Sequence, residues 1–416
     1  MRTLVLAAML SLLMASSCSK GSGSGGTTGQ PDTLPQVIVK SPRSLTKTNP
    51  QRILVAYQPW FEDPSTSPDH KWGSHWTMAN RRPDIVSADG RRDIASYFYP
   101  LIGPYASSDS DVLDYHLLLM KYAGIDGMIA DWYGVQNVYD YPLIKRNTDS
   151  LFNRTAPAGL GFAICYEDHT LIADRDVGGI QPLTAAQQDI AYVKSTYMSS
   201  SRYLRVGGKP LLLCFGPQVL QTGSDWVKVF GTVGEQPSFH TLWYASDPIG
   251  VAAAGEFAWV GKEGVSGSGD FLKTRAGTLA HAIAGAYPGF KDFYAAGGWG
   301  NTLFVIDHNG TSILQATLDL ARNSGSSDLQ LITWNDFGEG TMIEPTREFG
   351  FSFLEAIQQY AGVAYTRSEL ELVLRWYTLR KKYKADAVLQ RKLTQAYYDL
   401  VDLDIVGARS ILDAIP

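Results

Sequence analysis

The chain has 416 residues, 45% of them hydrophobic and 19% charged, so it can bury a large core, and disorder is excluded for most of its length. Its 36 Lys and Arg against 41 Asp and Glu give a formal net charge of -5, and no long basic stripe interrupts it, which excludes a nucleic-acid footprint. Aromatic residues reach 12%, with 10 Trp and 22 Tyr, a content that suits either a large aromatic core or sugar-stacking platforms.

Residues 1–17 read as a secretory signal: Arg2 precedes an apolar run from Leu4 to Met14 that is too short to span a bilayer. Ala15-Ser16-Ser17-Cys18 is similar to a bacterial lipobox, whose cysteine carries lipid and becomes the mature N-terminus; an ordinary signal cleaved nearby is the alternative. Residues 18–50 are then a lipidated Cys18 and a Gly/Ser-rich flexible tether, and membrane contact is through that anchor alone.

From residue 51 onward apolar strand-like runs alternate with helical stretches. Eight such runs are expected, at Ile53–Tyr57, Gly127–Trp132, Gly161–Tyr166, Pro210–Phe215, Thr241–Ala245, Phe257–Val260, Ala284–Phe290 and Leu329–Trp334. Asp109 caps a helix with Val112, Leu113, His116, Leu117 and Met120 on one face, ending at Gly124. Thr184 and Gln187 form a capping box ahead of Ile190, Val193 and Tyr197. Eight strand–helix units in this length predict an α/β fold of the (β/α)8 TIM-barrel type over residues 51–362. A doubly wound open sheet is the fallback, against which no glycine-rich turn follows the first strand. Residues 363–416 are purely helical, opened by the capping box Thr366-Arg367-Ser368-Glu369, and are expected as a C-terminal helical extension packed on the barrel.

Cys165 and Cys214 each sit inside an apolar run and read as core residues, with a disulfide between them as the alternative. No CxxC, HExxH, Walker or GxGxxG pattern is present, so no metal and no cofactor is signalled. The chemistry therefore falls to ordinary side chains at the C-terminal ends of the strands.

The strongest of these lie in Thr333-Trp334-Asn335-Asp336-Phe337-Gly338-Glu339-Gly340-Thr341, two carboxylates three residues apart where the eighth strand opens into a loop. Such a pair suits glycosidic bond cleavage, in which one group is protonated and the other ionised. Candidate substrate contacts are Tyr57, Trp60, His75, Trp76, Asp131, Trp132, Tyr166, Glu167, Trp243 and Asn335. Each has a plain structural alternative, among them backbone hydrogen bonding for Asp131, a loop role for His75 and core packing for Trp132 and Trp243.

The run from Trp334 to Pro345 resembles the signature of glycoside hydrolase families 71 and 99, the α-1,3-glucanases and endo-α-mannosidases. Tyr99–Asp109 with Ala123–Gly127, Tyr57-Gln58-Pro59-Trp60 with His75-Trp76, and Pro288-Gly289-Phe290 before Trp299 are similar to family 99 in the same order. The resemblance implies a (β/α)8 barrel that hydrolyses α-glycosidic bonds in a polysaccharide or oligosaccharide of the α-mannan or α-glucan class. It implies Glu339 as general acid/base, and Asp336 where family 99 uses a Glu as the base that assists attack by the sugar's own 2-hydroxyl. The shorter Asp keeps a second reading open, a non-catalytic glycan-binding surface lipoprotein on the same barrel. Resemblance to Gram-negative polysaccharide degraders implies a lipid-anchored place in the cell envelope, at the outer membrane or cell surface.

Overall fold

The computed structural model describes residues 34–416; the signal segment, Cys18 and the first part of the tether lie outside the described residues. Eight strands run parallel: β1 (Arg52–Tyr57), β2 (Gly127–Trp132), β3 (Gly161–Tyr166), β4 (Lys209–Cys214), β5 (Ser238–Leu242), β6 (Gly255–Phe257), β7 (Ala282–Ala286) and β8 (Asp328–Leu331). Their order is β3-β2-β1-β8-β7-β6-β5-β4, and pairing of β3 with β4, Ile164 opposite Leu212, closes the ring. Closure rules out the open doubly wound sheet and makes this an α/β TIM barrel. The strands read as nearly continuous apolar runs because a strand ringed by helices is buried on both faces.

Helices α1 (Ser110–Ala123), α2 (Tyr141–Ala158), α3 (Pro182–Val193) and α4 (Gly223–Gly231) follow β1 to β4, and α5 (Gly264–Phe271), α6 (Ser312–Asn323) and α7 (Ser352–Ala361) follow β6 to β8. Between β5 and β6 only a short 3-10 turn, Gly250–Ala252, makes the return, so one unit of the ideal barrel lacks its helix. Asp109 caps α1 as expected, accepting from the N–H groups of Asp111 and Val112, and Gly124 ends it at φ +86°. The Thr184 capping box does not form. Gln181 precedes the helix and Pro182 takes its first position, where a missing N–H costs nothing, so Thr184 falls inside the first turn.

Strands five to eight begin one to three residues, and end three or four residues, earlier than expected. The error has one cause: apolar and aromatic residues continue beyond the last ladder bond into loops that roof the barrel, so hydropathy alone runs past the strand end. Cys165 and Cys214 are free and buried, not joined.

Beyond α7, three helices complete the fold: α8 (Arg367–Lys382), α9 (Ala387–Val401) and α10 (Ile405–Asp413). Thr366 and Glu369 form the expected capping box. α8 packs on α1 with Tyr377 against Tyr115 and with Arg380 and Lys381 on Asp111 and Asp109 at 2.8 and 2.6 Å. These bring cations of a helix C-terminus onto anions of a helix N-terminus, a pairing that both macrodipoles favour. Residues 34–50 depart from a free tether. They run as a strap along α9 and the barrel's underside, where Ile38 N–H donates to Gln395 at 2.7 Å and Lys40 pairs with Asp399 at 2.8 Å. No helix among the described residues is long and apolar enough to cross a membrane.

Candidate active site

A cavity of about 180 Å³ opens at the C-terminal end of the strands. Four carboxylates face it, Asp131 from β2, Glu167 just after β3, and Asp336 and Glu339 from the loop after β8. Gln58, Trp60, Tyr133 and Tyr294 line it beside them. No Lys or Arg lines it among the described residues, and these hold no group of three or more His, Cys, Asp or Glu able to bind a metal.

The loop carrying Asp336 and Glu339 is pinched at its base. Thr333 N–H donates to the Thr341 carbonyl at 2.9 Å, and the two threonine hydroxyls meet at 3.1 Å. Inside it Asp336 N–H donates to Thr333 Oγ1 at 2.8 Å, and Glu339 N–H donates to Asp336 Oδ1 at 2.9 Å. One Asp336 oxygen thus closes a turn that brings Glu339 back to the same cavity. Gly340 sits at φ +68°, and a Cβ there would come within 2.9 Å of the Lys291 carbonyl and of the Phe98 ring, so this turn needs glycine. Backbone bonds from Lys291 to Glu339 O and from Phe293 to Gly338 O join the loop after β7 to it, delivering Tyr294, whose hydroxyl donates to Glu339 Oε1 at 2.9 Å.

Burial without a Lys or Arg dominates the electrostatics. It pushes Glu339 up to about 8, the neighbouring Asp336 adding to the rise and the Tyr294 hydrogen bond opposing it. Asp131 is likewise pushed up to about 8 by burial and then by Asp336. Glu167 rises well above the carboxylate range through burial, with Asp131, Asp168 and Glu339 adding to it. Asp336 is lifted less, to about 6: burial raises it, while the N–H groups of Glu339 and Gly338 and the charge of His75 favour its anion. Four carboxyls in one desolvated space cannot all ionise, and these environments make Asp336 the first to lose its proton.

The expected substrate contacts separate by strand parity. Successive residues of a strand point to opposite faces, so Asp131 and Glu167 enter the cavity while Trp132 and Tyr166 point into the helical layer. Trp132 stacks on Tyr192 of α3 at 6.0 Å, and the Tyr166 hydroxyl donates to Asp189 at 2.6 Å. Tyr57, neighbour of the inward Gln58, meets His116 of α1 at 3.1 Å. These three are corrected from substrate contacts to barrel–helix packing. Trp76 is also buried away from the cavity, stacked on Phe61 at 4.0 Å with its indole N–H on the Tyr105 carbonyl. Trp243 packs beside Ala258 and Phe271 outside the cavity.

Asn335 does not reach the cavity either. Its side chain accepts from Gln58 N–H at 2.8 Å and donates to Gln58 O at 3.0 Å, so it clamps the loop after β1 to the loop after β8. Trp60 lines the cavity, and His75 lies parallel to it at 4.2 Å with its Nε2 3.7 Å from Asp140. Gln58 and Tyr133, which the sequence places at the ends of the first two strands without counting them among the substrate contacts, and Tyr294, which it does not single out, also line the cavity. Parity would have found Gln58, whereas Tyr294 carries no local signal, because only the pairing of two loops brings it to Glu339.

Comparison with known proteins follows the same lines. The model of glycosyl hydrolase family 99 matches residues 49–267, just over half the chain. A glycoprotein endo-alpha-1,2-mannosidase-like protein of Mus musculus is 29% identical over 170 residues, 38% of this chain and 35% of that protein. The uncharacterized protein WxcX of Xanthomonas campestris is 24% identical over 364 residues, 76% of this chain and 50% of that protein. The chain thus spans half or less of the length of these curated relatives. The solved GH99 endo-alpha-mannosidase of Bacteroides thetaiotaomicron shares the barrel at a TM-score of 0.56 and 19% identity, over 78% of this chain and 98% of that one. On the family match, which runs through the first strands and both of the carboxylates they carry, this chain belongs to glycosyl hydrolase family 99.

Proposed function

We propose that this protein hydrolyses α-glycosidic bonds in an α-mannan or α-glucan, with Glu339 as proton donor and Asp336 as the ionised partner. The observation that carries the reading is the division of labour within one turn: burial holds the Glu339 proton to about pH 8, while backbone N–H groups favour the Asp336 anion above about pH 6. Between these values the pair holds one proton and one charge, the state that protonation of a leaving oxygen beside a developing oxocarbenium ion requires. Tyr294, donating to Glu339 Oε1, orients the acid. The likeness to the mouse endo-alpha-1,2-mannosidase-like protein and to the Bacteroides endo-alpha-mannosidase favours a mannoside.

Asp336 in the base position reaches one methylene less far than a glutamate. It acts on the sugar's 2-hydroxyl or as an electrostatic stabiliser of the sugar cation, and the configuration of the first-formed anomer distinguishes retention from inversion. The test is a screen of α-mannans and α-glucans with NMR of that anomer, run on the wild type and on Glu339→Gln. A wild type that binds a glycan and releases no product sinks the hydrolase reading in favour of a glycan-binding protein. Hydrolysis by Glu339→Gln at the wild-type rate removes Glu339 from the mechanism.

The lipobox-like run supports a lipid anchor at Cys18, and with it a place in the cell envelope. Metabolic labelling with a palmitate analogue tests this, since Cys18→Ser abolishes labelling if the anchor is real.

A further inference from the structure

Outside the cavity, just past the carboxylate turn, lies another buried carboxylate that the proposed chemistry does not use. Glu344 is fully buried, as are His116, Tyr57, Asn335 and Trp334 around it. Its Oε2 accepts from the Tyr105 hydroxyl at 2.7 Å, and its Oε1 lies 3.3 Å from His116 Nε2. His116 belongs to α1, and its Nδ1 meets the Tyr57 hydroxyl at 3.1 Å. No Lys or Arg pairs with Glu344 among the described residues. A carboxylate buried in this way costs stability that an apolar side chain of the same volume does not, so packing alone does not account for it.

Counting donors and acceptors gives the network a direction. Asn335 Oδ1 accepts from Gln58 N–H at 2.8 Å, so its amide nitrogen is the donor on the other side: one hydrogen goes to the Gln58 carbonyl at 3.0 Å and one to the Tyr105 hydroxyl at 3.1 Å. Tyr105 has a single proton to give, and it gives it to Glu344. The Asn335 amide is thereby fully used and cannot turn without breaking these bonds. Asn335 directly precedes Asp336, and Gln58 lines the cavity. Bonds inside the turn fix its shape, and Lys291 and Phe293 hold the side that bears Glu339. The side that bears Asp336 is held by Asn335, with Tyr105 and Glu344 behind it.

We propose that Tyr105 and Glu344 are positioning residues for the reaction: through Asn335 they hold the turn bearing Asp336 and Glu339 in place against Gln58 and the loop after β1. The proposal rests on the hydrolase reading for its effect on rate, and on the geometry alone for its effect on the turn. A satisfied buried network rigidifies the groups it joins, and misplacing a reacting group by about 1 Å costs about a hundredfold in rate. Loosening the Asp336 side also admits water to Glu339 and moves the Asp336 charge away from it. Burial and that charge are the two largest influences that raise the Glu339 carboxyl, so its proton is then held less tightly.

The test is Tyr105→Phe, which removes one oxygen from the network, compared with Tyr166→Phe, the same deletion in the helical layer. Two readouts are taken: kcat and KM on a glycan that the wild type cleaves, and the titration of the Glu339 carboxyl by NMR of protein carrying isotope-labelled glutamate, with Glu339→Gln identifying the signal. Tyr105→Phe lowers kcat about tenfold to a hundredfold with KM within about twofold, and moves the Glu339 midpoint down from about 8 toward the ordinary glutamate value, while Tyr166→Phe changes neither. Glu344→Leu reproduces Tyr105→Phe, the two together are no worse than either alone, and Glu344→Gln, which still offers an oxygen to the Tyr105 hydroxyl, stays within about threefold of the wild type. If Glu344→Leu does not fold, Tyr105→Phe decides by itself. A folded Tyr105→Phe protein with wild-type kcat and an unmoved Glu339 midpoint overturns the proposal, as does additive loss in the double variant. A Tyr105→Phe protein that does not fold overturns it too, by making the network a folding element. If the wild type cleaves no glycan, the hydrolase reading falls and the titration decides: a lowered midpoint keeps the positioning of the turn, and an unmoved one rejects it.

Discussion

At the N-terminal end of the barrel, Asp328 opens β8 buried beside a cation: Arg52 holds both its oxygens, at 2.5 and 2.8 Å, and His281 Nε2 reaches it at 2.7 Å. At the C-terminal end, Asp131, Glu167, Asp336 and Glu339 share one cavity without a Lys or Arg. Burial alone would raise all five. At the lower end the hydrogen bonds of His281 and Arg52 outweigh it and hold Asp328 below the usual carboxylate range, while at the upper end nothing comparable does. One end of the barrel uses its buried charge for stability, and the other keeps protonated carboxyls in a cavity at a cost in stability.

The contrast can be broken first at Glu339, the proposed acid. Glu339→Gln should lower kcat by about a hundred- to ten-thousandfold and abolish the alkaline limb of a bell-shaped rate profile whose limbs lie near pH 6 and pH 8. A wild-type profile flat from pH 5 to 9 would contradict the assignment. Removing the lower cation comes next. Arg52→Ala leaves Asp328 buried and half-paired, which should cost about 3 kcal/mol in denaturant unfolding while kcat of the folded protein stays within twofold.

The two ends should also respond to pH with opposite sign. Asp131 and Glu339 have folded pKa values above their unfolded ones, so the native state binds more protons, and their contribution to stability falls as pH rises from about 4 to about 8. Asp328 is depressed, so its contribution is present above its unfolded pKa and is lost as pH falls through the folded one. Asp131→Asn should therefore stabilise the protein by about 1 kcal/mol or more at pH 8 and by much less at pH 5, read from unfolding at both pH values. The smallest effect is expected at an outward strand position: Tyr166→Phe loses the hydrogen bond to Asp189 and should cost about 1 kcal/mol without lowering kcat. A large fall in kcat with intact stability would return Tyr166 to the substrate.

Neighbouring residues show what could be read in advance. Asp131 and Trp132, or Glu167 and Tyr166, stand side by side at strand ends and were equally attractive as polar or aromatic candidates. Strand parity sends one into the cavity and the other into the helices, and parity was available in the sequence once a single inward residue was known. Asn335 misled for another reason: it sits within the most informative motif, yet its amide is spent on the Gln58 backbone, 277 positions away.

By itself the amino-acid order determined the eight barrel strands, the capped helices α1 and α8, the purely helical C-terminal region and the position of the carboxylate turn. Those features depend on local periodicity, capping chemistry and glycine placement, which act within a few residues. Only the tertiary structure decided which strand-end side chains share the cavity, that Tyr294 meets Glu339, that residues 34–50 lie as a strap, and that four carboxyls meet without a Lys or Arg. Those outcomes depend on ring closure and loop pairing between distant segments, and desolvation, the largest influence on every carboxyl in the site, exists only once the barrel has closed around them.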